Sequence, residues 1–211
     1  MPTPPPSDAL ARFRKSMMID YDAWKDGTPY DIPALDGITE DERFHLAKEI
    51  ADKSTLDWRD VEALKALGTT IALKRLQKAS ENQVDGGGIE AFMLELETKD
   101  WTDEMEARFI EKLERAEAMT SALDRLYEIA EAHQTPAVRA QLLRGARISS
   151  DPTVRYSMGA FLLYLAGHVD SHYVFDTDHR PHLLDLNSDD YKTYKAAVAW
   201  LEDKIAHPKK R

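Results

Sequence analysis

A chain of 211 residues with 43% hydrophobic side chains has the apolar mass for one continuous core. It has no cysteine, which excludes disulfides, a thiolate nucleophile and any cysteine-ligated zinc site. The formal charge of −10 argues against nucleic acid as a partner, since a polyanion needs a basic track to bind.

No apolar run approaches the roughly 18 residues of a membrane-spanning helix. The opening MPTPPPSDALARF has no apolar stretch of the kind a secretory signal carries. The sequence therefore reads as soluble and cytoplasmic, with no membrane partner. Its charge is unevenly placed: residues 81–131 hold 15 acidic and 5 basic side chains, a difference that accounts for the whole −10. Two readings stay open for that stretch. It is a set of solvated helix faces, or it is a surface that steers a cationic partner.

In chain order, residues 1–17 predict a proline-rich lead-in and a short helix over DALARFRKSM. Residues 18–38 are rich in aromatics and turn formers and predict a loop-like N-terminal cap, with Tyr21, Trp24 and Tyr30 free to pack or to bind. Thr39 and Glu42 form a T-x-x-E capping box that opens a helix reaching about Lys53. DWRD at Asp57–Asp60 is a polar cluster around a tryptophan. Either Asp57 caps a helix with Trp58 packed behind it, or Trp58 is a contact residue of the kind enriched at interfaces. That helix should end at Leu67 with Gly68 as its stop. The next starts from Thr69 or Thr70 and turns Ala72, Leu76 and Ala79 inward.

ENQVDGGG, residues 81–88, reads as a flexible break. Ile89, Phe92, Met93 and Leu96 mark another helix. Thr102 caps a longer one with Met105, Phe109, Leu113 and Ala116 inward, and with Glu104–Arg108 and Glu111–Arg115 spaced as i,i+4 pairs. Thr120 or Ser121 starts a helix whose apolar face is Ala122, Leu126, Ile129 and Ala130. Residues 135–167 form a helix pair. Thr135 and Pro136 open the first, with Val138, Leu142 and Ala146 along one side. Asp151 and Pro152 open the second, whose stripe is Val154, Met158, Phe161, Leu162 and Leu165.

Residues 168–188 lack helical period and predict an irregular loop. It holds His168, His172, His179 and His182 among Asp170, Asp176, Asp178 and Asp185. Imidazole with carboxylate suits zinc, but the spacing fits no metal signature, so no metal and no cofactor are assigned. Arg180 is expected to pair with Asp176 or Asp178 and anchor the loop. Residues 189–206 predict a C-terminal helix with Tyr191, Tyr194, Val198, Leu201 and Ile205 inward, and 207–211 a frayed basic tail. No stretch alternates as a strand does, which makes the chain all-α. HExxH, P-loop, GxGxxG and GxSxG patterns are absent, and no catalytic residue is assigned.

The openings TPAVR and DPTVR of the 135–167 pair, and the joint EALKALGT, resemble the HEAT repeat, a helix–turn–helix unit that stacks into a solenoid. Three passages taken together go further: IDYDAWKDGTPYDIPAL, DWRDVEALKALGT, and the run from PTVRYSMGAFLLYLAG through YVFDTDHRPHLLDLNSDD. These resemble HEAT-like-repeat immunity proteins associated with polymorphic or Rhs-type secreted bacterial toxins. The resemblance implies a single-domain α-solenoid over residues 18–206, about five helix pairs by the usual repeat length, acting as a monomer or weak homodimer. It implies a cognate toxin domain as partner, one that is basic and nuclease-type if the acidic stretch steers it. A general HEAT-type adaptor and a HEAT-like DNA glycosylase are the alternatives. The candidate partner contacts are Glu104, Glu111, Glu114 and Glu117 in the acidic stretch, with Asp57, Trp58, Tyr21 and Trp24 around the N-terminal cap.

Overall fold

The computed structural model describes residues 6–83, 86–97, 99–116 and 121–209, apart from the side chains of Trp24, Ser121 and Ala122. Among the described residues every regular element is helical: twelve α-helices and one 3-10 helix. The chain divides into two compact units, Met1–Lys99 and Asp100–Arg211, where the sequence suggests one continuous domain.

The first unit comprises α1 (Asp8–Met17), α2 (Tyr21–Lys25), the 3-10 helix Ile32–Gly37, α3 (Glu40–Ala51), α4 (Trp58–Leu67), α5 (Thr70–Asn82) and α6 (Gly86–Leu96). Polar caps decide where these helices begin. Ser7 caps α1, Thr39 and Glu42 close a capping box on α3, Asp57 and Asp60 close one on α4, and Thr69 caps α5. Gly68 ends α4 in the left-handed region at φ 61°, which a side chain would resist. Two half-buried arginines satisfy carbonyls at or just beyond helix C-termini. Arg43 donates to the Leu35 and Ala66 carbonyls at 2.9 and 3.2 Å, and Arg75 to those of Ala51 and Lys53, both at 3.2 Å. Helix α4 packs on α5 and α6, α5 on α3 and α6, and α1 on the 3-10 helix. Phe13, Leu35, Leu46, Ile50 and Leu64 form the buried centre.

Three expectations change in this unit. The glycine run is not a flexible break: Gly86–Gly88 are the first turn of α6, and Gly87 and Gly88 are buried. Residues 18–38 are mostly short helix rather than loop; Tyr30 packs inward with Ala34, Leu35 and Ile38, and Tyr21 is exposed. Helix α3 stops at Ala51, short of Lys53.

The second unit comprises α7 (Asp103–Glu114), α8 (Ser121–Ala132), α9 (Pro136–Ile148), α10 (Pro152–Leu165), α11 (Arg180–Asp185) and α12 (Tyr191–Ala206). Thr102, Thr135, Asp151 and Asp190 cap α7, α9, α10 and α12. Helices α9 and α10 pack on each other across a three-residue joint, α7 packs on α9, and α12 on α10 and α11. Tyr127 stacks on Phe161 with ring centroids 4.2 Å apart. Val154, Met158, Phe161 and Leu162 are buried as the α10 stripe predicts, but Leu165 is only half-buried. In α12 Tyr191 points to solvent and Ala197 takes an inward place beside Val198 and Leu201. The 168–188 segment contains α11, and Lys209 N donates to the Ala166 carbonyl at 2.9 Å, which ties residues 207–209 to the end of α10.

Candidate interaction surface

DWRD begins α4, and its local hydrogen bonds fix the Asp57 and Asp60 side chains. Asp57 Oδ1 accepts from the N–H groups of Arg59 and Asp60 at 2.9 and 3.0 Å, while Asp60 Oδ2 accepts from Asp57 N at 3.2 Å. This reciprocal cap turns Arg59 and Asp60 into the unit, where both are buried. Each then finds partners far away in sequence. Asp60 Oδ1 accepts from Lys53 Nζ at 2.6 Å and from the Tyr30 hydroxyl at 3.2 Å. Arg59 Nε donates to the Thr28 carbonyl at 2.8 Å, Nη1 stands 3.5 Å from Asp57 Oδ2, and the guanidinium lies 4.7 Å over the Trp58 ring.

The buried charges thus strap residues 28–30 to the head of α4. Burial of the Tyr30 phenol, with the Asp60 and Asp57 carboxylates beside it, pushes its pKa above the ordinary tyrosine range. Its ring meets Phe13 edge-on at 5.8 Å. Beside this strap opens a cavity of about 380 Å³, lined by Met17, Ile19, Asp20, Tyr21, Asp57 and Arg59 with Tyr30. Tyr21 is 72% exposed there and the neighbouring Met18 84% exposed. Of the contacts expected from sequence, Tyr21 and Asp57 therefore meet at one cavity, and half-buried Trp58 joins them through Arg59. The side chain of Trp24 lies outside the described residues.

The four histidines of the second unit are dispersed among separate tasks. His168 Nε2 lies 2.8 Å from the Lys204 carbonyl, and His172 packs among Tyr127, Tyr164 and Tyr173 with Nε2 3.7 Å from Asp124. His179 Nδ1 is 2.9 Å from Asp176, and His182 stacks on Trp200 at 4.5 Å. Among the described residues no three of His, Asp and Glu converge as metal ligands. The expected Arg180 anchor is replaced: Arg180 is exposed, and Asp176 instead accepts from the N–H groups of Asp178 and His179 and faces the His179 ring.

On α7, Met105, Phe109 and Leu113 are buried, while Glu104, Glu111 and Glu114 are exposed as that stripe requires. Two of these carboxylates are already paired, Glu111 with Arg115 and Glu114 with Arg144, both at 2.8 Å. Such exposed pairs are worth only about 0–1 kcal/mol, so an incoming cation can displace them. Glu117 lies outside the described residues. The acidic stretch is also split, its first part to Lys99 in one unit and the rest in the other.

No family model, curated protein or solved structure matches this chain.

What sequence reasoning missed is the strap itself. The D-x-x-D spacing of Asp57 and Asp60 was a legible helix start. Nothing local, however, announces that Asp60 meets Tyr30 across 30 residues or that Arg59 reaches Thr28 across 31.

Proposed function

We propose that this protein binds and neutralises the basic toxin domain of a cognate secreted bacterial toxin, acting as a HEAT-like helical-repeat scaffold. The observation that carries the reading is exposed Tyr21 at a cavity that carries the Asp20 and Asp57 carboxylates, with Met18 exposed three residues away. Aromatic side chains presented on a rigid support are typical anchors of protein interfaces. The exposed carboxylates of α7 support fast, steered association with a basic partner. The packing of α3 on α5, α4 on α6 and α7 on α9 accords with stacked helix pairs, and the sequence resemblance to toxin-immunity proteins supplies the partner.

Co-expression tests this. Cells producing the toxin domain encoded beside this protein's gene should grow when the wild type is present. Tyr21→Ala, and separately the triple reversal Glu104→Lys, Glu111→Lys, Glu114→Lys, should protect poorly while keeping the helical circular-dichroism spectrum. No protection by wild type overturns neutralisation. Full protection by both variants overturns these surfaces as the contact.

A further inference from the structure

The cavity beside Tyr21 has a chemistry more specific than a general contact. Its lining combines apolar Met17 and Ile19, the phenols Tyr21 and Tyr30, and two carboxylates, Asp20 and Asp57, with Arg59. Those charges differ in reach. The Arg59 side chain is only 4% exposed, and its guanidinium is taken up by the Thr28 carbonyl, Asp57 and the Trp58 face. The Asp57 side chain is 49% exposed and Tyr21 72%. Asp20 is exposed too, with one oxygen accepting from Ala23 N at 2.8 Å. An entering group therefore meets two exposed carboxylates and an exposed phenol ring, while the one cation named in the lining is buried and already partnered.

A carboxylate or phosphate entering here would face Asp20 and Asp57 before it could reach Arg59, and like charges at short range repel. A planar cation gains from every accessible group. Its charge pairs with carboxylate, its face stacks on Tyr21, and its methylene stem lies along Met17 and Ile19. Guanidinium suits this better than ammonium, since it is planar, more weakly hydrated and stacks on aromatic rings. We infer that the cavity is the seat for one arginine side chain of a protein partner. For the identity of that partner the inference rests on the toxin-binding reading. The preference for a guanidinium stands on the cavity alone.

The test needs no partner protein. Full-length protein with labelled isoleucine methyl groups and tyrosine rings is titrated with N-acetyl-arginine amide, whose only charge is the guanidinium. N-acetyl-citrulline amide, its uncharged isostere, is the control. The Ile19 methyl and Tyr21 ring resonances should shift and saturate at about millimolar arginine probe, as befits a single side chain. The citrulline probe should bind about tenfold more weakly or not at all. Tyr21→Ala and Asp20→Asn should each weaken the arginine probe several-fold; Asn keeps the acceptor that Ala23 N uses. The methyls of buried Ile50 and Ile89 report that each variant is folded. Absence of shifts at Ile19 and Tyr21, equal shifts with citrulline, or unchanged binding in folded Tyr21→Ala and Asp20→Asn variants would each overturn the arginine seat. Arginine-probe binding together with failed protection in cells would leave the seat standing and refute only the toxin reading.

Discussion

A Cβ on Gly87 would lie 1.9 Å from the carbonyl oxygen of Leu56 and 2.5 Å from its carbonyl carbon. The first turn of α6 therefore runs against the main chain that leads into α4, and no side chain fits between them. Main chain cannot swing aside as a side-chain tip can. Gly87→Ala should destabilise the first unit by about 1–3 kcal/mol or more. Gly86→Ala, with nothing within 4 Å of its Cβ, should be neutral or mildly stabilising. Urea denaturation of the two variants checks the contrast; equal effects would mean the helix does not approach so closely.

In the second unit the stripe of α10 gives a graded pair. Leu162 is buried and Leu165 half-buried. Leu162→Ala should cost about 2–5 kcal/mol, and Leu165→Ala clearly less. Thermal melts of both variants, read at a helical circular-dichroism band, supply the comparison.

The strap at the head of α4 should be felt through Asp60. Its carboxylate serves Lys53 Nζ, the Tyr30 hydroxyl and Asp57 N at once. Asp60→Ala orphans the phenol and removes the charge-assisted contact, a loss of about 1.5–3 kcal/mol. It should also raise the protease sensitivity of residues 26–31. Unchanged proteolysis there would separate the strap from the loop it is read to hold.

Glu42 makes the N-terminal helix acid-sensitive. The N–H of Ser7 at 2.7 Å and that of Thr39 at 2.9 Å, with both hydroxyls, hold its carboxyl down to about 2. The fold favours the ionised form. Its contribution is complete above the ordinary value of 4.5 and is lost as pH falls from there toward 2. The protection of the residue 7–17 amides, taken relative to intrinsic exchange at each pH, should fall over that window in the wild type, and Glu42→Gln should flatten the change.

His133 acts at milder pH. It stacks on Trp101 at 4.0 Å with planes 6° apart, and burial lowers its pKa below the ordinary 6.5. The fold here favours the neutral ring, so stability is complete above 6.5 and declines as pH falls through the depressed folded value. Melting temperatures at pH 7.5 and 5 should differ more in wild type than in His133→Phe, which keeps the stack and cannot be protonated.

Particular residues show how legibility was divided. Thr39 with Glu42, Asp57, Gly68, Thr69, Thr102, Thr135 and Asp151 were all readable as helix ends, because a cap is a bond between neighbours three or four residues apart. The apolar stripes of α5, α7 and α10 were readable for the same reason, since a helix repeats its faces over short spacing. All-helical character was thus determined by the sequence alone. The glycine run was misread because local chemistry sees only freedom in three glycines. That they serve close packing depends on Leu56, some thirty residues earlier. Likewise Tyr21 and Asp57 could each be picked out as contact candidates, but their meeting at one cavity, with Arg59 turned inward behind them, was decided by how α4 packs against residues 17–30. So were the dispersal of the histidines and the division into two units. Caps and periodicity are short-range and written in adjacent letters; close approaches and shared cavities arise only when distant segments compete for the same volume.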